Sequence, residues 1–324
     1  MIEIQPRTID WVSFRQALAL SLLTGRPFAY RGALAFVNAN PPYSAFLSDF
    51  ELLFRDRNLG TFSVEGDDIS FSPKPVRFGN WRVSVNPYSS AVEMMLLLAP
   101  ALFRQEFRTK LAFSGVTHSP LSPGTSWMKE SFLAMLERMG LYASCALRRF
   151  GFYGSGGGGM EARVYPAEEK GADISSTGKI SVAGTRVYMA HLDASIAVRQ
   201  KEALCAGLGL DLSRAGVLEV QDCDGAWNHA EVYLAMDGLP LVVSETVPVY
   251  DFEGKNRFSE ERALAAMPAL AARARETVAS GRVPDDLARE IAPYAVMTGS
   301  AFDASAYPDP VRESLEMARL FIES

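Results

Sequence analysis

The sequence predicts an α/β (α+β) fold built from repeated units, each a four-stranded sheet backed by two helices. Apolar side chains alternate in the segments predicted as strands and recur at i, i+3, i+4 and i+7 in those predicted as helices. The element order β-α-β-α-β-β occurs twice, over residues 1–75 and 76–166. The two halves share this pattern without obvious sequence identity, so we predict two copies of one supersecondary unit.

The elements of each unit follow from this periodicity. The first unit contains a strand near residues 2–4, a helix over 14–22 that ends at Gly25, a buried strand over 28–37, a loop over 38–42, a helix over 46–54 and a hairpin over 62–71. The second contains a strand over 81–85, a helix over 92–99, a strand over 111–113, a helix over 128–139 and a hairpin over 142–165. Both units therefore have four predicted strands and two predicted helices.

The second hairpin contains four consecutive glycines at positions 156–159, between the basic pair Arg148-Arg149 and an apolar strand from Met160. Because only glycine adopts positive φ without a steric cost, the run predicts a strained hairpin turn. Gly-rich loops also bind phosphate through backbone N–H groups. However, no helix and no Lys-Ser/Thr pair follows, so the stretch is not a Walker loop. Arg148-Arg149 is too short to form a nucleic-acid-binding patch by itself.

The pattern changes after a polar segment at 167–177, which we interpret as a linker. Strand patterns near 180–189, 217–220 and 230–235 and a helix over 196–204 predict a small α+β module that ends near 241–247. Three helices are then predicted, over 258–280, from Asp285 and over 310–321. We therefore predict a large domain of residues 1–173 and 246–324, with an inserted small domain of residues 174–245.

Composition excludes several classes of protein. The contents of 48% hydrophobic and 22% charged residues are those of a folded soluble chain. The formal net charge of −6 argues against a generally basic surface, although a local patch is compatible with it. The three cysteines lie far apart without a CxxC pair, which favours a reducing cytoplasm over a disulfide or zinc framework. The apolar run at 91–103 contains Glu93 and Pro100 and is too short to span a membrane.

The glycine stretch, RFGFYGSGGG at 149–158, resembles the signature Arg-His-Gly-Phe-Tyr-Pro-x-Gly-Gly-Gly of RNA 3'-terminal phosphate cyclases. Phe150 replaces the usual His or Arg, and Gly154 replaces the Pro. Residues 17–28 (ALALSLLTGRPF) are similar to the first helix of that family, residues 114–123 to its Gly-Thr-Asp-x-Pro loop, and residues 136–140 to the end of the helix that follows. Together these stretches span most of the chain.

The resemblance implies a large domain of three similar α/β units, with a small domain inserted before the third. The same unit builds the enolpyruvyl transferases. The resemblance also implies a reaction in which a histidine near the C-terminus attacks ATP and carries AMP to an RNA 3'-phosphate, after which the 2'-OH closes a 2',3'-cyclic phosphate. That histidine falls at Pro310, and the three histidines of the chain are His118, His191 and His229. Proline has no nucleophilic side chain, so we predict that this chain has no catalytic residue for nucleotidyl transfer.

Several binding positions of the family also differ. The family's Glu-Gly-Gly-Gly-Gln is TIDWV at 8–12, its Ala-Asp-Gln is Ala288-Arg289-Glu290, and its Arg-rich loop and Gln-His pair fall on Leu34, Val37, Ala45 and Phe46. The arginine of the first helix is kept as Arg15, and a small gap restores Arg31. We predict Arg15 and Arg31 as substrate-binding residues. Arg15 is equally suited to a structural ion pair.

Other candidate residues have simpler interpretations. His118 replaces the Asp of the family's Gly-Thr-Asp loop, and we predict it as an exposed loop residue rather than a base. Burial in the core or at an interface is the leading interpretation of the four tryptophans, with base stacking as the alternative. They are Trp11, Trp81, Trp127 and Trp227. Cys205, Cys223 and His229 fit no zinc spacing, so we predict no metal site.

The leading functional hypothesis is a noncatalytic cyclase-like protein of the cytoplasm that binds RNA or a partner protein in RNA processing. It needs no cofactor and no membrane, and a homodimer is left open. The alternative is an active ATP-dependent RNA 3'-phosphate cyclase, or another phosphotransfer enzyme, with displaced site residues. Only that alternative requires ATP and a divalent cation. A purely structural subunit is the third hypothesis.

Overall fold

The computed structural model describes residues 1–168, 170–174 and 178–323, so part of the predicted linker at 167–177 lies outside the described residues. The first sheet consists of β1 (Ile2–Ile4), β2 (Phe28–Tyr30), β3 (Gly60–Glu65) and β4 (Asp68–Pro73), in the order β1-β2-β4-β3. The second sheet consists of β5 (Asn80–Ser84), β6 (Thr109–Gly115), β7 (Ala143–Arg149) and β8 (Gly158–Val164), in the order β5-β6-β8-β7. In both sheets the first two strands are parallel and the other pairs antiparallel. The predicted repetition of one unit is confirmed at the level of strand order.

Helices of the first two units differ from the prediction in one region. The first unit contains α1 (Trp11–Thr24), α2 (Ala33–Ala39) and α3 (Pro41–Arg57). The predicted strand over 28–37 is wrong beyond Tyr30, because Gly32 has φ of 72° and turns the chain into α2. The predicted loop at 38–42 is largely helical, with Pro41 at the start of α3, where proline costs no hydrogen bond. The second unit contains α4 (Ala91–Phe103), α5 (Thr125–Trp127), a π-helical turn (Met128–Phe132) and α6 (Leu133–Arg138).

A third sheet lies within the predicted insert. It is formed by β9 (Ile180–Ala190), β10 (Ala215–Glu219), β11 (Trp227–Met236) and β12 (Leu239–Thr246), with α7 (Ala194–Leu208) between the first two strands. Its order, β10-β9-β11-β12, places the first strand in the interior of the sheet rather than at its edge, unlike the other two sheets. The division of the chain into two domains stays a prediction.

The chain ends in α8 (Glu260–Ser280), α9 (Asp285–Thr298) and α10 (Asp309–Ile322). Between Thr246 and residue 323, apart from isolated bridges, the structure has no further strand. The third four-stranded unit that the resemblance implies is therefore not formed by residues 246–324 alone. α1 packs against both α4 and α10, and α10 packs against α9.

Helices α1 and α4 lie in the buried centre of the fold. Every residue of α4 is buried, and so is most of α1. β5 alternates exposed and buried residues, so the second sheet has one face on the core and one in solvent. All four tryptophans are buried, which confirms their predicted place in the core. No helix of the described residues has the length and apolarity needed to cross a bilayer.

The glycine stretch connects two antiparallel strands, β7 and β8, as the predicted hairpin does. The carbonyl of Gly151 accepts hydrogen bonds from the backbone N–H groups of Thr117 and His118, at 2.9 and 3.0 Å. A Cβ atom on Gly151 would lie 2.2 Å from the carbonyl oxygen of Gly115. Glycine is therefore required here for close backbone approach.

This close approach predicts that alanine substitutions at two glycines of the same hairpin differ in their effect on stability. Gly151→Ala should lower the free energy of unfolding by at least about 2 kcal/mol, since its Cβ meets backbone that cannot move aside. Gly159→Ala is the matched control, because its Cβ would lie 3.7 Å from the nearest atom, the Arg148 Cβ, an ordinary contact. Urea unfolding measures both variants. Equal stability of the two would contradict the close approach.

Candidate functional site

The positions that the resemblance assigns to nucleotide binding come together around the start of α1. Asp10 caps this helix, and its Oδ1 accepts the Ser13 N–H at 2.9 Å. One turn further, Arg15 is buried, with 1% of its surface exposed. Its Nε lies 2.9 Å from Glu93 Oε2 on α4, and its Nη2 donates to Glu290 on α9. The arginine is therefore held between two carboxylates from two other helices.

These charges alter one another's protonation. Burial opposes the charge of Arg15, but the Glu290 and Glu93 carboxylates outweigh it and raise the pKa of the guanidinium above its ordinary value. Burial also raises the pKa of Glu93, against the opposing effect of Arg15. The Trp11 indole N–H donates at 2.8 Å to the same Glu93 Oε2 that lies beside Arg15 Nε. The group is a structural ion pair, the second of the two roles predicted for Arg15.

A second ion pair lies beside the first. Arg289 Nη2 is 2.8 and 2.7 Å from the two carboxylate oxygens of Asp10. The Gln16 amide donates to the Arg289 carbonyl at 2.9 Å, and the Ser314 hydroxyl donates to Gln16 Oε1 at 2.7 Å. Helices α1, α9 and α10 are thus joined by polar contacts as well as by apolar packing. We call Asp10, Arg15, Gln16, Glu93, Arg289, Glu290 and Ser314 the polar core.

The polar core leaves no room for a nucleotide. The cavity beside Arg15 and Glu290 has a volume of about 10 Å³, which is at most the space of one water molecule. Val37 and Phe46, expected at the family's binding loop, are buried in the hydrophobic core, where the Phe46 ring lies 5.3 Å from Trp11. Aromatic packing and the two carboxylates enclose the Arg15 side chain, so it is not open to solvent. A contact between Arg15 and a substrate stays a prediction. ATP does not fit these residues as they stand.

Pro310 is half-buried and Arg31 is exposed. Pro310 is in the first turn of α10, and Arg7 lies 3.8 Å from Asp309 and 3.9 Å from Glu313 of that helix. Arg31 is half exposed and pairs with Glu3 at 2.8 Å and with Asp68. Its contact with a substrate stays a prediction.

A separate polar cluster lies between the second and third sheets. His118 is 5% exposed, so the expectation of an exposed loop residue is wrong. Its Nδ1 is 2.9 Å from Thr117 Oγ1, and its Nε2 is 3.1 Å from Thr125 Oγ1. Burial, reinforced by His229, lowers the pKa of His118 to about 3 and keeps it neutral. The loop is buried because the third sheet covers it, a contact that no local pattern reveals.

The other half of this cluster comes from β11. His229 Nδ1 is 2.8 Å from Thr246 Oγ1, and its Nε2 is 3.3 Å from Glu231 Oε1. Tyr233 donates to the other Glu231 oxygen at 2.5 Å, and the hydroxyls of Tyr233 and Tyr188 are 2.9 Å apart. Burial alone raises the pKa of Glu231, but these donors lower it to about 2. An adjoining cavity of about 460 Å³ is lined by Lys129, Phe150, Arg186, Tyr188 and Tyr233, among other residues.

Sequence reasoning missed this cluster as a unit. His229, Glu231 and Tyr233 are spaced by two on one strand, which places their side chains on one face of the sheet, and this spacing is the sequence signal for the cluster.

Cys223 Sγ lies 3.6 Å from His191 Nε2, apart from His229. Among the residues described, no three His, Cys, Asp or Glu side chains are grouped so as to hold a metal ion.

The buried ion pair generates a stability prediction. Arg15→Met leaves Glu93 and Glu290 buried without their cation, so the free energy of unfolding should fall by about 3–5 kcal/mol. Arg31→Met is the control, and we expect little change because exposed ion pairs contribute little. Urea unfolding at neutral pH compares the two. An Arg15→Met protein as stable as the control would refute the structural role.

The buried histidine generates a prediction on pH. Its pKa is about 3 in the folded chain against an ordinary 6.5, so the unfolded chain binds more protons between these values. Stability should therefore fall as pH drops from 6.5 towards 3, with His118 contributing up to about 1.4 kcal/mol per pH unit. His118→Gln should have a shallower slope of unfolding free energy against pH than the parent chain. His191→Gln is the control, and identical slopes in both variants would reject the assignment.

Comparison with known proteins supports the family resemblance that the glycine stretch indicates. The sequence profile of the family described as RNA 3'-terminal phosphate cyclase matches residues 45–324. The RNA 3'-terminal phosphate cyclase of Koribacter versatilis is 25% identical over 325 residues, which cover 95% of this chain and 85% of the relative. That of Ectopseudomonas mendocina is 24% identical over 319 residues, covering 95% and 89%. That of Pseudomonas fluorescens is 30% identical over 188 residues, covering 55% and 54%. With most of its length matched, this chain belongs to the RNA 3'-terminal phosphate cyclase family.

Proposed function

We propose that this chain is a noncatalytic member of the family that binds RNA without nucleotidyl transfer. The observation that carries the proposal is the polar core. Asp10, Arg15, Arg289 and Glu290 lie at positions where the resemblance expects nucleotide binding, and they neutralise one another instead. A phosphate approaching Arg15 must displace two buried carboxylates, which leaves both of them without a counter-ion.

The position of the nucleophile supports the same proposal. Pro310 stands in the first turn of α10, where the resemblance expects the histidine that carries AMP. Of the three histidines, His118 and His229 belong to the cluster beside the third sheet, and His191 lies beside Cys223. A covalent AMP carrier needs a side chain with a reactive lone pair, which proline lacks.

The proposal that the ligand is RNA is based on the names of the relatives. Their names give the RNA 3'-terminal phosphate as the group on which they act. We infer that RNA binding persists in this chain while the AMP step is lost. The three buried free cysteines fit action in a reducing cytoplasm.

One observation favours a second candidate, an active ATP-dependent enzyme whose site has moved. Glu231 holds His229 on one side and Tyr233 on the other, beside the cavity of about 460 Å³. A carboxylate that orients an imidazole is an arrangement that general-base and nucleophilic sites use. The names of the relatives also favour an enzyme.

Incubation with α-labelled ATP, Mg²⁺ and a 3'-phosphorylated oligoribonucleotide separates the two candidates. We expect no label on the denatured chain and no 2',3'-cyclic product, since loss of a nucleophile costs on the order of a millionfold in hydrolases. An active relative assayed in parallel is the positive control.

Label or cyclic product formed by this chain would overturn the noncatalytic proposal. His229→Gln then tests the second candidate, because a relocated site at the third sheet requires that side chain. If neither activity nor RNA binding is found, the partner-protein or structural hypothesis replaces both.

A further inference from the structure

The outer face of the second sheet is basic. Side chains alternate along its strands, so one set faces the core and the other faces solvent. The solvent-facing set includes Arg82, Lys110, Arg148 and Arg163, all exposed, and one carboxylate, Glu161. Lys110 is opposite Arg163 in the register of β6 and β8, so two cations are cross-strand neighbours. Like charges directly opposite each other destabilise a sheet, and one carboxylate, Glu161, is the counter-charge on this face.

Only one of these cations forms a close ion pair, although Glu161 also interacts electrostatically with Lys110 and Arg163. Arg148 pairs with Glu161 at 2.7 Å. Within the described part of the chain, no ion pair involves Arg82, Lys110 or Arg163. The three line a depression of about 800 Å³ together with Arg57, whose guanidinium lies 5.2 Å from the centre of the Trp81 ring. The small residue Ala112 on the middle of β6 leaves this depression open.

The first sheet shows that the fold does not require this charge. It has the same strand order and pairing, yet its four strands contain no Lys or Arg. Their charged residues are Glu3, Glu65 and Asp68. The chain as a whole carries a formal charge of −6, so the basic face of the second sheet is a local exception.

Exposed aromatic rings border this basic face on one edge. Phe78 and Phe107 come just before the parallel strands β5 and β6, and 46% and 59% of their surfaces are exposed. Their ring centres are 4.9 Å apart. The backbone N–H of Lys110 donates to the Gly79 carbonyl, which joins the starts of the two strands. Tyr165 follows β8, which runs antiparallel to β6, so it lies at the same edge with 36% exposure. Exposed aromatic rings beside cations are the pattern of single-strand-binding surfaces.

We infer that the outer face of the second sheet, with this aromatic edge, binds single-stranded RNA. The inference rests on the proposed RNA-binding function and assigns its surface. Phosphates contact Arg82, Lys110 and Arg163, and unpaired bases stack on Phe78 and Phe107. A duplex keeps its bases stacked on each other, so it gains only the electrostatic part of this binding.

Fluorescence anisotropy of a labelled single-stranded oligoribonucleotide with the full chain tests the assignment at several salt concentrations. Lys110→Ala with Arg163→Ala should weaken binding at least about tenfold and reduce the salt slope by about 1.4, since each lost phosphate contact in a single strand contributes about 0.7. Phe78→Ala with Phe107→Ala should weaken binding about 5- to 100-fold with the salt slope unchanged. Arg319→Ala with Lys201→Ala removes two charges on α10 and α7 and should bind like the parent chain.

The outcomes distinguish a wrong assignment of the binding surface from a wrong proposal of RNA binding. Circular dichroism first establishes that each variant folds, which the exposure of five of the six substituted residues favours; the sixth, Lys201, is half-buried. If the parent chain binds RNA and the two sheet variants bind as the control does, the surface assignment is overturned and the RNA-binding function stands. If the parent chain does not bind RNA, both are overturned. A duplex of the same sequence bound as tightly as the single strand would overturn the stacking part.

Discussion

The packing of the central helices depends on one buried cation. The Arg15 guanidinium requires compensation in a low-dielectric interior, and Glu93 and Glu290 supply it from α4 and α9. Neither carboxylate tolerates burial without the arginine, so the two ion pairs hold α4 and α9 against α1. The Asp10–Arg289 pair and the Gln16–Ser314 hydrogen bond extend the same constraint to the start of α1 and to α10. The outer sheets rest on this centre, since the hydrophobic core is continuous from α1 and α4 into all three.

A site filled with its own counter-ions differs from a site that has merely lost residues. An open cleft with one missing nucleophile still binds its ligand, whereas a cleft whose cations are paired internally gains nothing from an added anion. Arg15 is kept, but its partners come from the same chain. These ion pairs hold α1, α4 and α9 together, while the exposed cations of the chain include those on the outer face of the second sheet.

Periodicity was sufficient to predict the two repeated units, strands and a helix within residues 180–246 and the closing helices, because apolar spacing reports which face of each element is buried. It failed at residues 28–37, where Gly32 ends the strand, and at His118, which a distant sheet covers. The basic face could not be read from Arg148-Arg149 alone, since its other cations come from residues 82, 110 and 163 and meet only through strand pairing. The polar core could not be predicted from the sequence either, because Arg15 and Glu290 are 275 positions apart and meet only in the folded chain.

That separation has a consequence for how the chain acquires its structure during synthesis. At about 5–20 residues per second, the ribosome needs roughly 15–55 s to make the residues between Arg15 and Glu290. Throughout that time the first helix has at most one of its two carboxylate partners, while both sheet units can already pair their strands. The nascent chain therefore passes through a stage in which its periphery is ordered before its centre is complete. Closure of the last helices onto the first completes the core and is a late folding event of high contact order.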